Sequence, residues 1–198
     1  MNVIRDLLAD ELRAAAFRRL LARGAPLDPV EVATELGHPV EAINERLREF
    51  SRSGRIRLDN QGRVIGSAGL SGVPDRHRIL LDGRQFWTWC AFDVVGIFGA
   101  LGATGRAYST SPTSGAALEV AFHGGRPEAT QLALFRPDER LREDCCSNVY
   151  EEWCPNSNFF EDADSAWRWA RENDLTGAVL GLAEATDLGA RSWAPLCT

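Results

Sequence analysis

Apolar side chains recur along residues 4–23 at Ile4, Leu7, Leu8, Leu12, Ala15, Ala16, Leu20 and Leu21. That spacing of three and four predicts a helix with one buried face, ended by Gly24 and Pro26. A second, short helix is predicted over 29–36, opened by Pro29 and closed by Gly37. A third fits 40–53, where Val40, Ile43, Leu47 and Phe50 form one stripe and Gly54 follows as a stop. The period then shortens: RIRLD and RVIGSA read as two strands around the turn Asn60-Gln61-Gly62. Three helices followed by a hairpin is a winged-helix-like pattern.

Residues 66–78 (GSAGLSGVPDRHR) are rich in Gly, Ser and Pro. They divide the chain into a winged-helix-like region at 1–68, a linker at 69–78 and an α+β core at 79–198. In the core, RILLDG reads as a strand with a turn, and FWTWCAFDVVGIFGALG is nearly all apolar, a buried helix from about Trp89 to the glycines. RAYSTS, SPTSG and ALEVAF make a hairpin, TQLALF another strand, 163–173 a helix and TGAVLGLAEA a last strand. The fold class expected is α+β, with a mostly antiparallel sheet and packed helices.

Charge changes the picture only in one respect. The first 80 residues carry 13 Arg against 11 Asp/Glu, and the remainder 9 against 17. An acidic C-terminal part argues against nucleic acid as its partner, because phosphate attraction needs the opposite sign. The amphipathic N-terminus lacks the apolar core of a signal peptide, and no run approaches the roughly 20 apolar residues of a membrane span. A cytoplasmic protein without a membrane partner is expected.

Cysteine usage carries the chemistry. There are five: Cys90, Cys145, Cys146, Cys154 and Cys197. An odd count in a cytosolic setting favours reactive or metal-binding thiols over a disulfide framework. In WCAFD, helical geometry would put Cys90 and Asp93 on one face, three residues apart, among Trp89, Phe92, Ile97 and Phe98. Burial among aromatics and a neighbouring thiolate would both raise the carboxyl's pKa, making Asp93 a proton donor at neutral pH. Taken alone, Cys-x-x-Asp reads first as a buried cysteine packed as a small hydrophobe, with Asp93 capping or pairing locally. The cluster EDCCSNVYEEWCPNSNFFED brings three further thiols within ten residues, without C-x-x-C spacing and without a nearby histidine. Zinc would call for one or the other; thiols without nitrogen partners favour a soft, thiophilic metal. His77 and His123 lie beside Arg and Gly and read as surface residues, and Cys197 as incidental.

At these residues the sequence resembles the alkylmercury (organomercurial) lyase family. WCAFD at 89–93, the hairpin ATGRAYSTSPTSGAALEVAF at 103–122, and CPNSNFFEDADSAWRWARE at 154–172 are similar to family segments in the same order, and the N-terminal region is similar too. The resemblance implies cleavage of a carbon–mercury bond. Two thiolates bind mercury, an aspartic acid protonates the carbon, and Hg(II) stays on the sulfurs until low-molecular-weight thiols remove it. No cofactor is implied; the organometallic compound is the substrate. By position, Cys90 is the first thiol and Asp93 the proton donor. Counting back from Phe159-Phe160 makes Cys154 the second thiol, whereas counting from SNVY makes it Cys146; the Phe pair and the helix after it favour Cys154. Cys145 and Cys146 are then auxiliary mercury ligands or signs of another soft metal. Ser111 stands where the family often has a cysteine, at a position that reads as structural.

Two other functions fit parts of the pattern. A winged-helix metal-sensing regulator would use Asn44, Arg46, Arg48 and Arg52 on the third helix, with Arg55 and Arg57 in the wing. Glu41, Glu45 and Glu49 alternate with those arginines, as on a solvated helix face. A non-catalytic thiol protein that sequesters soft metal would need the cysteines but not Asp93.

Overall fold

A computed structural model of the chain describes residues 3–140 and 147–198. The three N-terminal helices form: α1 (Val3–Arg23), α2 (Pro29–Leu36) and α3 (Val40–Arg52). Asp28 caps α2 by accepting from the Val30 N–H, while Glu31 accepts from the Asp28 N–H, and Gly37 closes the helix at φ 65°. α3 buries Ile43, Leu47 and Phe50, the stripe its spacing predicts.

Strands β1 (Ile56–Leu58) and β2 (Val64–Ser67) pair as the expected hairpin. Residues 66–78 do not behave as a linker. They contain β3 (Leu70–Ser71), which pairs with β2 on one side and with β5 (Arg84–Thr88) on the other, and 64–71 are all buried. Gly and Ser serve here for close packing rather than for freedom. One antiparallel sheet therefore continues through this stretch, in the order β1-β2-β3-β5-β4-β6-β7-β8. Its other members are β4 (His77–Leu81), β6 (Gly105–Thr110), β7 (Ala117–His123) and β8 (Arg126–Pro127). The register sets Ile79 opposite Phe86 and Ala107, and Ala107 opposite Val120, so one face is apolar. Against it lies α4 (Ala91–Leu101), buried on every side from Ala91 to Phe98.

A second sheet, β10-β9-β11, is formed by β9 (Ala133–Pro137), β10 (Asn158–Phe160) and β11 (Gly177–Gly181), all antiparallel. It carries α5 (Ala163–Glu172), whose Ala166 and Ala170 join Phe135 and Phe160 in a small separate core.

Three further expectations are corrected. TGAVLGLAEA is not one strand: it turns at Gly181 into α6 (Leu182–Trp193), which packs along α4. Its buried positions, Leu182, Ala185, Thr186 and Gly189, have helical spacing, but two small residues and a threonine do not register as an apolar stripe. His77 is not at the surface: it is 3% exposed, and its Nδ1 lies 2.8 Å from the Ser109 hydroxyl. Burial pushes its pKa down to about 3, so it is neutral. Arg57 does not project as a wing arginine but pairs with Asp75. Among the described residues no helix is long and apolar enough to cross a membrane.

Candidate active site

Strand β5 runs into α4 through Trp89 and Cys90, and this junction builds half of the site. Cys90 is the residue before the helix, with extended backbone (φ −150°, ψ 169°). Its N–H donates to Asp93 Oδ2 at 2.8 Å, and its sulfur accepts from the Asp93 N–H at 3.4 Å. This reciprocal arrangement is a capping box in which a thiol replaces the usual hydroxyl. Cys90 is fully buried and Asp93 6% exposed. The loop between β2 and β3 presses bare backbone against the carboxyl: Gly69 has φ 85°, and a methyl group there would stand 2.3 Å from it. A side chain at 69 would displace Asp93.

The other half arrives from far along the chain. Val149–Trp153 form a π-turn and Cys154–Asn156 a 3₁₀ turn, ending at Ser157 before β10. Ser157 staples this turn to the start of α4: its carbonyl accepts from the Ala91 N–H at 3.0 Å and its hydroxyl from the Phe92 N–H at 3.2 Å. Both N–H groups belong to the first turn of α4, where a helix has no partners of its own. Cys154, 2% exposed, thereby reaches Cys90. Its sulfur, the Cys90 sulfur and an Asp93 oxygen all lie within 4.8 Å of one another. Among the described residues this is the one Cys/His/Asp/Glu group spaced to hold a metal ion.

The surroundings are apolar and their effect on protons is strong. Burial pushes the Asp93 pKa up to about 7; its hydrogen bonds with Cys90 pull it down, Asp75 adds to the rise and Arg76 opposes it. Burial pushes the Cys90 thiol well above its ordinary value, and the hydrogen bond with Cys154 and the charge of Asp93 add to this. At neutral pH the free site thus holds a protonated Cys90 and a carboxyl poised to gain or lose its proton.

A cavity of about 200 Å³ opens onto the cluster. Asp93 and Cys154 line it with Trp89, Phe92, Trp153 and Trp193, while Cys90 sits behind them. Trp193 comes from α6; its indole N–H donates to the Ala68 carbonyl at 2.8 Å and its ring meets Phe92 edge-on at 5.7 Å.

Of the residues singled out from sequence, Cys90, Asp93 and Cys154 converge, and Cys145 and Cys146 lie outside the described residues. Cys197 is apart from the cluster, with its thiol on the Trp193 carbonyl. Ser111 is buried and donates to Glu161 at 2.8 Å, tying the β6–β7 turn to the end of β10. Sequence reasoning missed Ser157 and Trp193. Ser157 was visible only as one polar residue in CPNSNFF, and Trp193 belongs to the helix that was not foreseen.

The family model for alkylmercury lyase matches residues 70–194. The chain belongs to the alkylmercury lyase family. It is 30% identical over 176 residues to an alkylmercury lyase of Staphylococcus epidermidis, covering 86% of this chain and 76% of that protein. It is 29% identical to one of Streptomyces lividans, covering 86% and 77%. The crystal structure of the mercury-bound form of MerB2 superposes with a TM-score of 0.77 over 95% of this chain and 99% of that one, at 18% identity. That likeness shows the α+β fold of the family in this chain.

Proposed function

We propose that this family member cleaves the carbon–mercury bond of an organomercurial by protonolysis, with Cys90, Cys154 and Asp93 as the reacting groups. The observation that carries this is the mutual approach of two buried thiols and one proton-bearing carboxyl within 4.8 Å. Mercury favours thiolate ligands. An incoming R–Hg⁺ meets Cys154 in the cavity and then Cys90 behind it. Each sulfur gives up its proton to solvent on binding, while Asp93 keeps the proton that burial holds on it up to about pH 7. Two sulfurs on mercury push electron density onto the Hg–C bond, and the Asp93 proton goes to the carbon. R–H leaves carrying the Asp93 proton, the two thiol protons are in solvent, Hg(II) remains on the sulfur pair, and the carboxylate regains its proton from water. Small thiols then remove it by exchange. Trp89, Phe92, Trp153 and Trp193 give the organic group an apolar wall and keep bulk water from the carboxyl.

The test is incubation with phenylmercury and excess small thiol, with detection of benzene and of protein-bound mercury. Benzene is expected from the wild type, and Asp93→Asn should hold mercury without releasing benzene. A wild type that binds mercury and releases no benzene would instead make the protein a sequestering thiol protein.

A further inference from the structure

The two thiols come from segments that share no strand pairing, and one exposed side chain joins them. Arg76, just before β4, donates from Nη1 to the Trp89 carbonyl at 3.1 Å and from Nη2 to the Tyr150 carbonyl at 3.2 Å. The first carbonyl is one residue before Cys90; the second is four residues before Cys154. A guanidinium is planar and rigid, so its two ends fix a distance, which a flexible ammonium would not.

The same spot is braced on several sides. Arg57 and Arg76 both lie over the Tyr150 ring, at 4.2 and 4.5 Å from its centre. The Tyr150 hydroxyl reaches the Asp75 carboxyl at 3.3 Å, and Asp75 also takes the Arg57 ion pair with its side chain 2% exposed. Tyr150 in turn meets Trp89 edge-on at 5.6 Å. The Val149 N–H donates to the Ser53 carbonyl at 3.0 Å. Ser157 joins the two segments on the far side of the thiols, through Ala91 and Phe92, and Arg76 joins them on the near side, from the backbone just before Cys90 to the backbone before Cys154.

We propose that Arg76 is a positioning residue that sets the spacing between the Cys90 and Cys154 sulfurs by bridging the carbonyls of Trp89 and Tyr150. It touches neither mercury nor substrate. The proposal rests on the lyase reading for its effect on turnover, but not for its effect on mercury binding. A chelate grips only when both sulfurs are held at the right separation, and a misplacement on the order of 1 Å can cost about a hundredfold in rate.

The experiment compares wild type, Arg76→Met, Arg76→Lys and the control Arg78→Met. Arg78 is a neighbouring arginine that stacks on Tyr108 and, among the described residues, makes no carbonyl bridge. Three quantities are read: kcat and KM for phenylmercury, melting temperature, and the dithiol concentration that strips half the Hg(II) from loaded protein. Arg76→Met should lower kcat by about ten- to a hundredfold with KM changed less than about threefold. It should surrender Hg(II) at about a tenfold lower dithiol concentration, and Arg78→Met should match wild type. Arg76→Lys, which keeps charge and stem but loses the fork, should fall between, and it decides the matter if Arg76→Met does not fold. Wild-type kcat and mercury retention in both Arg76 variants would overturn the proposal, as would losses that track melting temperature and recur in Arg78→Met. If the wild type releases no benzene, the lyase reading fails, while mercury stripping still decides whether Arg76 sets the spacing.

Discussion

The two halves of the site are built by opposite means. The Cys90–Asp93 half is local: a strand end, a helix start and two hydrogen bonds across three residues hold thiol and carboxyl together. The Cys154 half is irregular backbone, a π-turn running into a 3₁₀ turn, fixed by partners distant in sequence: Ser157 against α4, Arg76 and Asp75 around Tyr150, and Ser53 under Val149. A secondary-structure element positions a side chain through its own ladder, whereas a turn must borrow its rigidity. Damage to the first half should therefore act on the chemistry, and damage around the second on geometry.

The largest effect expected lies in the local half. Cys90→Ser should abolish benzene release, because the hydroxyl is a poor mercury ligand. Asp93→Asn should cost about 10²- to 10⁴-fold in kcat, the range for a general acid, with mercury still bound. Because burial holds Asp93 near 7, wild-type kcat/KM should decline as pH rises through about 7, and a rate–pH profile checks this.

A smaller effect is expected from the borrowed half. Ser157→Ala keeps its backbone carbonyl on Ala91 but removes the hydroxyl acceptor of the Phe92 N–H. The loss should be about 1–3 kcal/mol of stability, from a buried N–H left without its partner, and kcat should fall more than KM rises. Denaturant unfolding and steady-state kinetics measure the two. An unchanged kcat would mean that the turn needs no staple.

The smallest effect concerns stability against pH. Asp93 has a raised folded pKa, so the stability its proton confers is complete below the unfolded value of about 3.9 and is lost as pH climbs through about 7. Asp93→Asn should therefore gain in melting temperature over wild type between pH 5 and pH 8. His77 runs the other way: its depressed pKa gives stability that is present above about 6.5 and lost as pH falls toward about 3. His77→Gln should flatten the acid side only.

The same contrast explains what could be read from the sequence. The Cys90–Asp93 pairing was legible because helical spacing alone puts residues three apart together. The structure refines it by placing Cys90 just outside the helix as its cap. The strands β4, β6 and β7 were legible from the turn residues beside them, and α3 from its stripe. Cys154 was reached through the spacing of family-like segments and not through any periodicity, since a π-turn has no pattern to read. Ser157 and Arg76 were invisible because their partners, Ala91, Phe92, Trp89 and Tyr150, are chosen by the tertiary fold. β3 was masked by Gly and Ser, and α6 by its small buried residues.

The proposed mechanism depends on Cys154 as the sulfur that joins Cys90 on mercury. Benzene release from phenylmercury in excess thiol, measured side by side for Cys154→Ser and Cys146→Ser, tests it most directly. No turnover is expected in the first and wild-type turnover in the second. Full activity in Cys154→Ser with loss in Cys146→Ser would contradict it.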